Sequence, residues 1–382
     1  DRIPQYMWVL DTLGWPRLEI YEYSRLNFEY TCLSKRKLNW FVTTNRVEGW
    51  SDPRFPTLRG VLRKGVRVET LVEFMLEQGP SKRANLMEWE KLWAINKRII
   101  DPICPRYTAV SVEKACRLTV VNGPEEPVAV SVEMSKLNKN LGQRPMWRSK
   151  NILIEFADAD TILKVGEKVT LMNWGNFNIL TKEQQPDGSF NLTGEYLPED
   201  LDFKTTKKIT WLADNTNLLI ANLTEYDHLI KTKKVEENVD FEQIVNVNSK
   251  FSTQAYVDSG IRLLNESNIY FYADTFIQFE RRGYYRIDKV TKNGDNFDYE
   301  MIFVPDGKAV GLASIAKKTE KEGDIKQQTL ADKVEEKKHK GEKKKKKGDK
   351  KVEEGEKKEE ASAKEEKKDD EKEEVKVEAA EK

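Results

Sequence analysis

Apolar residues recur at helical spacing through the first hundred positions, then alternate at strand spacing from about residue 108. Gln5 to Leu13 predicts a helix that stops at Gly14. Leu18 to Tyr23 reads as a short extended run, Ser24 to Asn27 as a polar loop, and Leu33 to Lys37 as a basic loop. Leu38, Phe41 and Val42 then share one helical face. Pro53 and Pro56 fix a rigid turn, because each sets its own φ and restricts the residue before it. Thr57 is placed to cap a helix from Leu58 to Lys64, which Gly65 ends. Two more helices are expected, Val68 to Gln78 before Gly79-Pro80, and Asn85 to Ile100 before Pro102.

The later pattern is of short β-branched and aromatic runs parted by turn signals. Ala109–Val112, Ala129–Val132, Ile152–Phe156, Lys168–Met172, Lys208–Leu212, Phe276–Glu280, Tyr284–Asp288 and Met301–Val304 all read as strands. Asp187-Gly188-Ser189 predicts a hairpin turn between Asn178–Lys182 and Phe190–Leu192. Strands at roughly ten-residue spacing argue for barrels or sandwiches over a parallel sheet.

Composition separates a body from a tail. The 382 residues hold 65 basic and 65 acidic side chains, yet 23 of the former and 22 of the latter fall in residues 316–382. That segment has no aromatic residue, so it cannot bury enough apolar surface to offset its ordering entropy and is expected to be disordered. Its Lys-rich stretch, residues 337–351, suits either electrostatic holding of an RNA backbone or a solvated linker. No apolar run is long enough to span a bilayer. Asp1-Arg2-Ile3-Pro4 lacks the features of a signal peptide and reads as an interior start. Cys32, Cys104 and Cys116 are odd in number and widely spaced, which fits a reducing compartment and gives neither a disulfide framework nor a zinc knuckle. With only His228 and His339, a His-based triad or His-rich metal site is not expected, and His228 reads as a half-buried structural residue.

Leu33-Ser34-Lys35-Arg36-Lys37 is the stretch with the clearest chemistry. Ammonium and guanidinium groups on a loop suit a polyphosphate, although the same run also reads as a nuclear import patch or a plain surface segment. Its context is more specific. Tyr21 to Asn27, Leu33 to Leu38 and Val47 to Gly60 come in an order that closely resembles the second half of the class I glutamyl- and glutaminyl-tRNA synthetases of eukaryotic type. Met87 to Pro102, Trp174-Gly175-Asn176 and Phe279 to Tyr285 resemble the cytosolic glutamyl branch of that family. The resemblance runs from residue 1 to about 306.

The resemblance implies site residues one by one. Leu33, Ser34 and Lys35 match the family's KMSKS loop, with Leu at the first matched position. Lys35 then stabilises charge on the ATP α-phosphate as the amino acid attacks, and Leu33 and Ser34 lie near the adenosine. Arg25 and Leu26 match a pair that contacts ATP. Arg106, Gln278 and Arg281 match anticodon readers of the glutamine relatives, and their planar donor sets suit exposed base edges. Ile20 and Met172 depart from the glutamine pattern and lean towards glutamate, with the glutaminyl enzyme as the alternative. The family's HIGH motif needs a histidine, and none precedes His228, so these 382 residues alone are expected not to form glutamyl-adenylate.

The architecture implied is multidomain: a Rossmann-like α/β catalytic remnant (1–37), an α-helical stem-contact domain (38–107), two anticodon-binding β-barrels (108–310) and a disordered charged tail (311–382). The family's topology also implies that the late strands return to the first barrel, bringing Gln278 and Arg281 near Arg106. The activity implied is ATP-dependent attachment of glutamate to its tRNA in the cytoplasm. ATP with Mg²⁺ is the expected cofactor, without a protein-bound structural metal. The expected partners are tRNA(Glu), ATP and glutamate, with a multi-synthetase assembly left open and no membrane. The alternative of another class is a non-catalytic tRNA-binding or scaffold piece. A body with near-zero net charge is unusual for an RNA binder, but a basic stripe can share a surface with acids.

Overall fold

The structure, a computed structural model, describes residues 2–215, 218–236, 240–262, 275–293 and 296–307, all within one compact unit. The expected disordered tail lies outside the described residues.

The first hundred residues carry five helices among those described: α1 (Ile3–Thr12), α2 (Lys35–Thr43), α3 (Leu58–Arg63), α4 (Val68–Gln78) and α5 (Trp89–Ile100). Thr57 caps α3, its hydroxyl accepting from the Gly60 amide at 3.0 Å. Gly79 ends α4 at φ +67, where a side chain would be strained. The buried amide of Asn96 ties these helices together. It donates to the Gly65 carbonyl at 2.9 Å, and its oxygen accepts from the Arg67 amide at 2.9 Å and the Thr70 hydroxyl at 2.8 Å.

Three local expectations are corrected here. Leu18–Tyr23 is not a strand; the strand is β1 (Leu26–Phe28), in the stretch read as a loop. It pairs in parallel with β2 (Asn85–Met87), the part of the expected Asn85–Ile100 helix that is extended instead. Lys35, Arg36 and Lys37 are not loop residues: they form the first turn of α2, behind Ser34 at the N-cap position. Parallel pairing joins residues far apart in sequence, so these short runs carry no local signature. Because β2 lies beyond residue 37, the segment 1–37 shares its sheet with the helical segment that follows.

From residue 106 the chain builds two seven-stranded sheets, each coming round on itself. The first has the order β12-β9-β10-β11-β5-β8-β13. Its members are β5 (Cys116–Val120), β8 (Asn151–Ile154), β9 (Lys168–Leu171), β10 (Gly175–Gln184), β11 (Phe190–Leu197), β12 (Lys207–Ile209) and β13 (Trp211–Ala213). The expected single strand Lys208–Leu212 is thus two edge strands, broken only at buried Thr210, so one bent run occupies both edges. The hairpin over Asp187-Gly188-Ser189 forms as expected, joining antiparallel β10 and β11, with the Asp187 carboxylate accepting from the Ser189 amide at 2.9 Å. Phe156, expected to end a strand, instead opens the short helix α6 (Phe156–Thr161).

The second sheet uses the same device. Its order is β3-β16-β17-β18-β14-β15-β4, with β3 (Arg106–Tyr107) and β4 (Ala109–Ser111) at the two edges, separated only by buried Thr108. The others are β14 (Leu219–Tyr226), β15 (Lys250–Val257), β16 (Phe276–Phe279), β17 (Gly283–Asn293) and β18 (Asn296–Val304). Each sheet closes over its own core, one around Phe177 and Trp211, the other around Tyr107, Phe279 and Tyr299. A two-stranded ribbon, β6 (Val128–Glu133) and β7 (Gln143–Arg148), completes the set.

The helical part is packed onto the second barrel. Phe28, Phe74, Leu92 and Trp93 share a core with Phe276, Tyr284 and Val304. Gly65, at φ +104, makes that contact close: a Cβ there would lie 2.5 Å from Val304 Cγ2.

Candidate functional site

Two places collect the residues singled out from the sequence. One is a cavity of about 730 Å³ lined by Arg25, Leu33, Ser34 and Lys37, with Lys233 and Lys234 reaching in from the segment between β14 and β15. The Tyr30 amide donates to the Lys233 carbonyl at 3.0 Å, and the Lys233 ammonium pairs with Glu29 at 3.3 Å, which fixes that segment beside β1. Lys37 sits with its ammonium 4.9 Å from the centre of the Phe241 ring. Cys32 lies in the same wall, buried, and burial pushes its thiol pKa up. The cavity lining therefore includes four cationic residues, Arg25, Lys37, Lys233 and Lys234, a setting suited to a polyphosphate.

The expected phosphate set is only partly brought together. Arg25, Leu33 and Ser34 line this cavity, whereas Leu26 lines a neighbouring one of about 430 Å³ that Arg25 also borders. Lys35 lines neither; it stands exposed in the first turn of α2, and Lys37, two residues on, takes the place at the wall. No group of three or more metal-ligating side chains occurs among the described residues.

The second place is the edge where β3 meets β16. The two strands pair in parallel, and Gln278 is the register partner of Arg106. The Gln278 amide donates to the Pro105 carbonyl at 3.0 Å and the Glu280 amide to the Tyr107 carbonyl at 2.9 Å. The Arg106 guanidinium, 22% exposed, faces Asp101 at 3.3 Å. Asp101 also accepts from the Tyr284 hydroxyl at 2.7 Å. The Nε of Arg106 and the Oε1 of Gln278 are buried and have no hydrogen-bond partner among the described residues.

Sequence reasoning missed what holds this edge. The Arg106 amide donates to the Met134 carbonyl at 2.7 Å, and its carbonyl accepts from Arg144 Nε at 2.8 Å, so the ribbon grips Arg106 from both sides. Arg144 is itself buried in an ion pair with Asp258 and lies over the Tyr107 ring at 5.1 Å. Asp258 follows β15 of the second barrel, far along the chain, so no spacing signals the pair. Nearby Glu280 has its carboxyl pKa raised by burial, with Arg144, Lys136 and Arg106 opposing.

Arg281 lies in the turn after β16, the strand that pairs with β3, but its side chain is engaged away from Arg106. It occupies the left-handed region at φ +64 in the turn between β16 and β17. Its guanidinium takes both oxygens of Asp158 on α6, one at 2.7 Å. Arg282 beside it pairs with Glu155 at 3.0 Å. The two arginines join the barrels, each crossing from the second to an acid of the first.

Comparison with known proteins matches three stretches of the chain to one family. The family described as "tRNA synthetases class I (E and Q), catalytic domain" matches residues 1–102. Two families described as "tRNA synthetases class I (E and Q), anti-codon binding domain" match residues 104–195 and 208–288. The chain is 44% identical over 310 residues to the cytoplasmic glutamate–tRNA ligase of Arabidopsis thaliana, covering 81% of this chain and 42% of the relative. It is 41% identical over 315 residues to the cytoplasmic glutamate–tRNA ligase of Saccharomyces cerevisiae, with the same two coverages. It is 38% identical over 343 residues to the bifunctional glutamate/proline–tRNA ligase of Mus musculus, covering 87% of this chain and 22% of that one. The chain thus spans about four tenths of the cytoplasmic ligases it matches. With part of a catalytic domain ahead of two anticodon-binding domains, each built on a nearly closed barrel, the chain belongs to the class I tRNA synthetases of the E and Q type.

Proposed function

We propose that this chain serves a cytoplasmic glutamate–tRNA ligase, which joins glutamate to its tRNA at the expense of ATP. The segment 1–37 supplies the phosphate loop, 38–107 contacts the acceptor stem, and the two barrels read the anticodon. The observation that carries the reading is the pairing of Arg106 with Gln278, which sets a partly exposed guanidinium and a partly exposed amide on neighbouring strands of one barrel. Unpaired anticodon bases expose the Watson–Crick edges that such groups recognise.

ATP fits the cavity bordered by Arg25, Leu33, Ser34 and Lys37, with Mg²⁺ held chiefly by the nucleotide's own phosphates. Lys35, at the start of α2, lies off the wall and is carried to the α-phosphate by movement of the 33–37 segment. Charge grows there as glutamate attacks, so a cation arriving at that stage lowers the barrier directly. The bifunctional relatives support a place for the protein among other synthetases.

The test is a chimera in which residues 1–306 replace the matching segment of the yeast relative. It is expected to charge tRNA with glutamate and not with glutamine. Charging with glutamine, or no charging by a folded chimera, overturns the reading.

A further inference from the structure

Arg148 ends β7 without a counter-ion among the described residues. It stands four residues after Arg144 on the same strand, hence on the same face and about 13 Å along it. The two have opposite circumstances. Arg144 is answered by Asp258. Arg148 faces no carboxylate; its guanidinium lies 5.5 Å from the centre of the Trp174 ring and donates through Nη2 to the Asn173 carbonyl at 2.8 Å. Its Nε is buried and has no hydrogen-bond partner among the described residues. Other half-buried arginines are matched by acids: Arg54 by Asp52, Arg63 and Arg286 by Asp288, Arg282 by Glu155.

Removing a cation from water without an opposite charge costs stability, and burial depresses the Arg148 pKa accordingly. A second cost sits beside it, since Asn173 holds the left-handed φ of +62 while its carbonyl meets the guanidinium. Both costs fall on one spot of the barrel surface. The indole covers one face of the guanidinium, and the side chain as a whole stays partly exposed, with Nη2 on the Asn173 carbonyl. A partly exposed positive charge without a counter-ion is matched best by an anionic oxygen, such as a phosphodiester presents. The strand itself connects this spot to the anticodon edge, because its other end holds Arg106 in place through Arg144.

We propose that Arg148 holds a backbone phosphate of the single-stranded RNA whose bases are read beside Arg106. This rests on the RNA-reading proposal above and adds to it a contact that carries no sequence information.

The experiment measures binding of the chain to tRNA(Glu) and to the same tRNA with its middle anticodon base changed, across a salt series, for wild type, Arg148→Gln and Arg148→Lys. Arg148→Gln is expected to weaken both RNAs equally, by about tenfold. It should also reduce the slope of log affinity against log salt by about 0.7, the share of one single-strand phosphate. Arg148→Lys should restore the slope, which a purely structural arginine would not. Unchanged affinity and slope in Arg148→Gln overturns the proposal, as does a loss confined to one RNA, which would mean base reading. If wild type binds both RNAs alike while Arg148→Gln still lowers the slope, the phosphate contact stands and the base-reading proposal falls.

Discussion

Arg106 and Gln278 lie opposite each other in a parallel strand pair of the second barrel, though in sequence the whole first barrel lies between them. The partly exposed guanidinium of Arg106 and the partly exposed amide of Gln278 are the groups that the proposed base reading would use. Replacing either with alanine is expected to reduce discrimination between cognate and anticodon-changed tRNA by about 1–3 kcal/mol. In the double variant the losses should fall short of additive, because both groups serve one base. Fully additive losses in a binding titration would place them on separate contacts.

Lys35 and Lys37 are assigned different parts. Lys37 lines the cavity at rest and Lys35 does not. In the charging-competent chimera, Lys35→Ala is expected to lower kcat by about 10²–10³-fold with little change in KM for ATP. Lys37→Ala should chiefly raise KM for ATP. The reverse split would show that the resting position of Lys35 is already its working one.

Arg281 and Asp158 form a clasp between the barrels, with the Asp158 side chain only 8% exposed. Arg281→Ala leaves that carboxylate buried and alone, and is expected to cost about 1–3 kcal/mol of stability in denaturant unfolding. Asp158→Asn frees the guanidinium. This variant should lose a similar amount of stability and bind tRNA no more tightly than wild type. Tighter binding would mean that RNA ordinarily competes with Asp158 for Arg281.

Lys64 gives a pH signature. It is half-buried beside Trp93, and burial pulls its pKa down to about 8, against the opposing charges of Asp227 and Glu225. Between pH ~8 and ~10.5 the unfolded chain binds more protons at this residue than the folded one, so its contribution to stability rises with pH over that window. Below pH ~8 the charged form is buried at a cost. Lys64→Met is therefore expected to be more stable than wild type at pH 7, by on the order of 2 kcal/mol, with the gap closing by pH ~10.5. A gap that stays constant from pH 7 to 10.5 would contradict this.

Much of the fold was legible locally. The α4 boundaries, the Thr57 cap and the Asp187 hairpin each rest on residues within a few positions of one another. β1 was not legible, because Leu26-Asn27-Phe28 is extended only by virtue of Asn85–Met87 beside it. The break at Thr210 was hidden for a related reason: Lys208–Leu212 is one apolar run locally and two sheet edges globally. At the site, the residue types in Leu33–Lys37 suggested phosphate chemistry, but their helical start is set by packing of Leu38 and Phe41. The juxtaposition of Arg106 with Gln278 followed from family resemblance. The buried Arg144–Asp258 pair that secures it has no sequence signal at all, since long-range ion pairs leave no periodicity.

Anticodon reading by the barrels is tested most directly by a binding measurement. The chain, with residues 316–382 removed, is titrated with tRNA(Glu) and with the same tRNA carrying a changed middle anticodon base, at two salt concentrations. The predicted result is a loss of about 1–3 kcal/mol on changing the base, retained without the Lys-rich segment. Equal affinity for the two RNAs, or binding that disappears with residues 316–382, would contradict it.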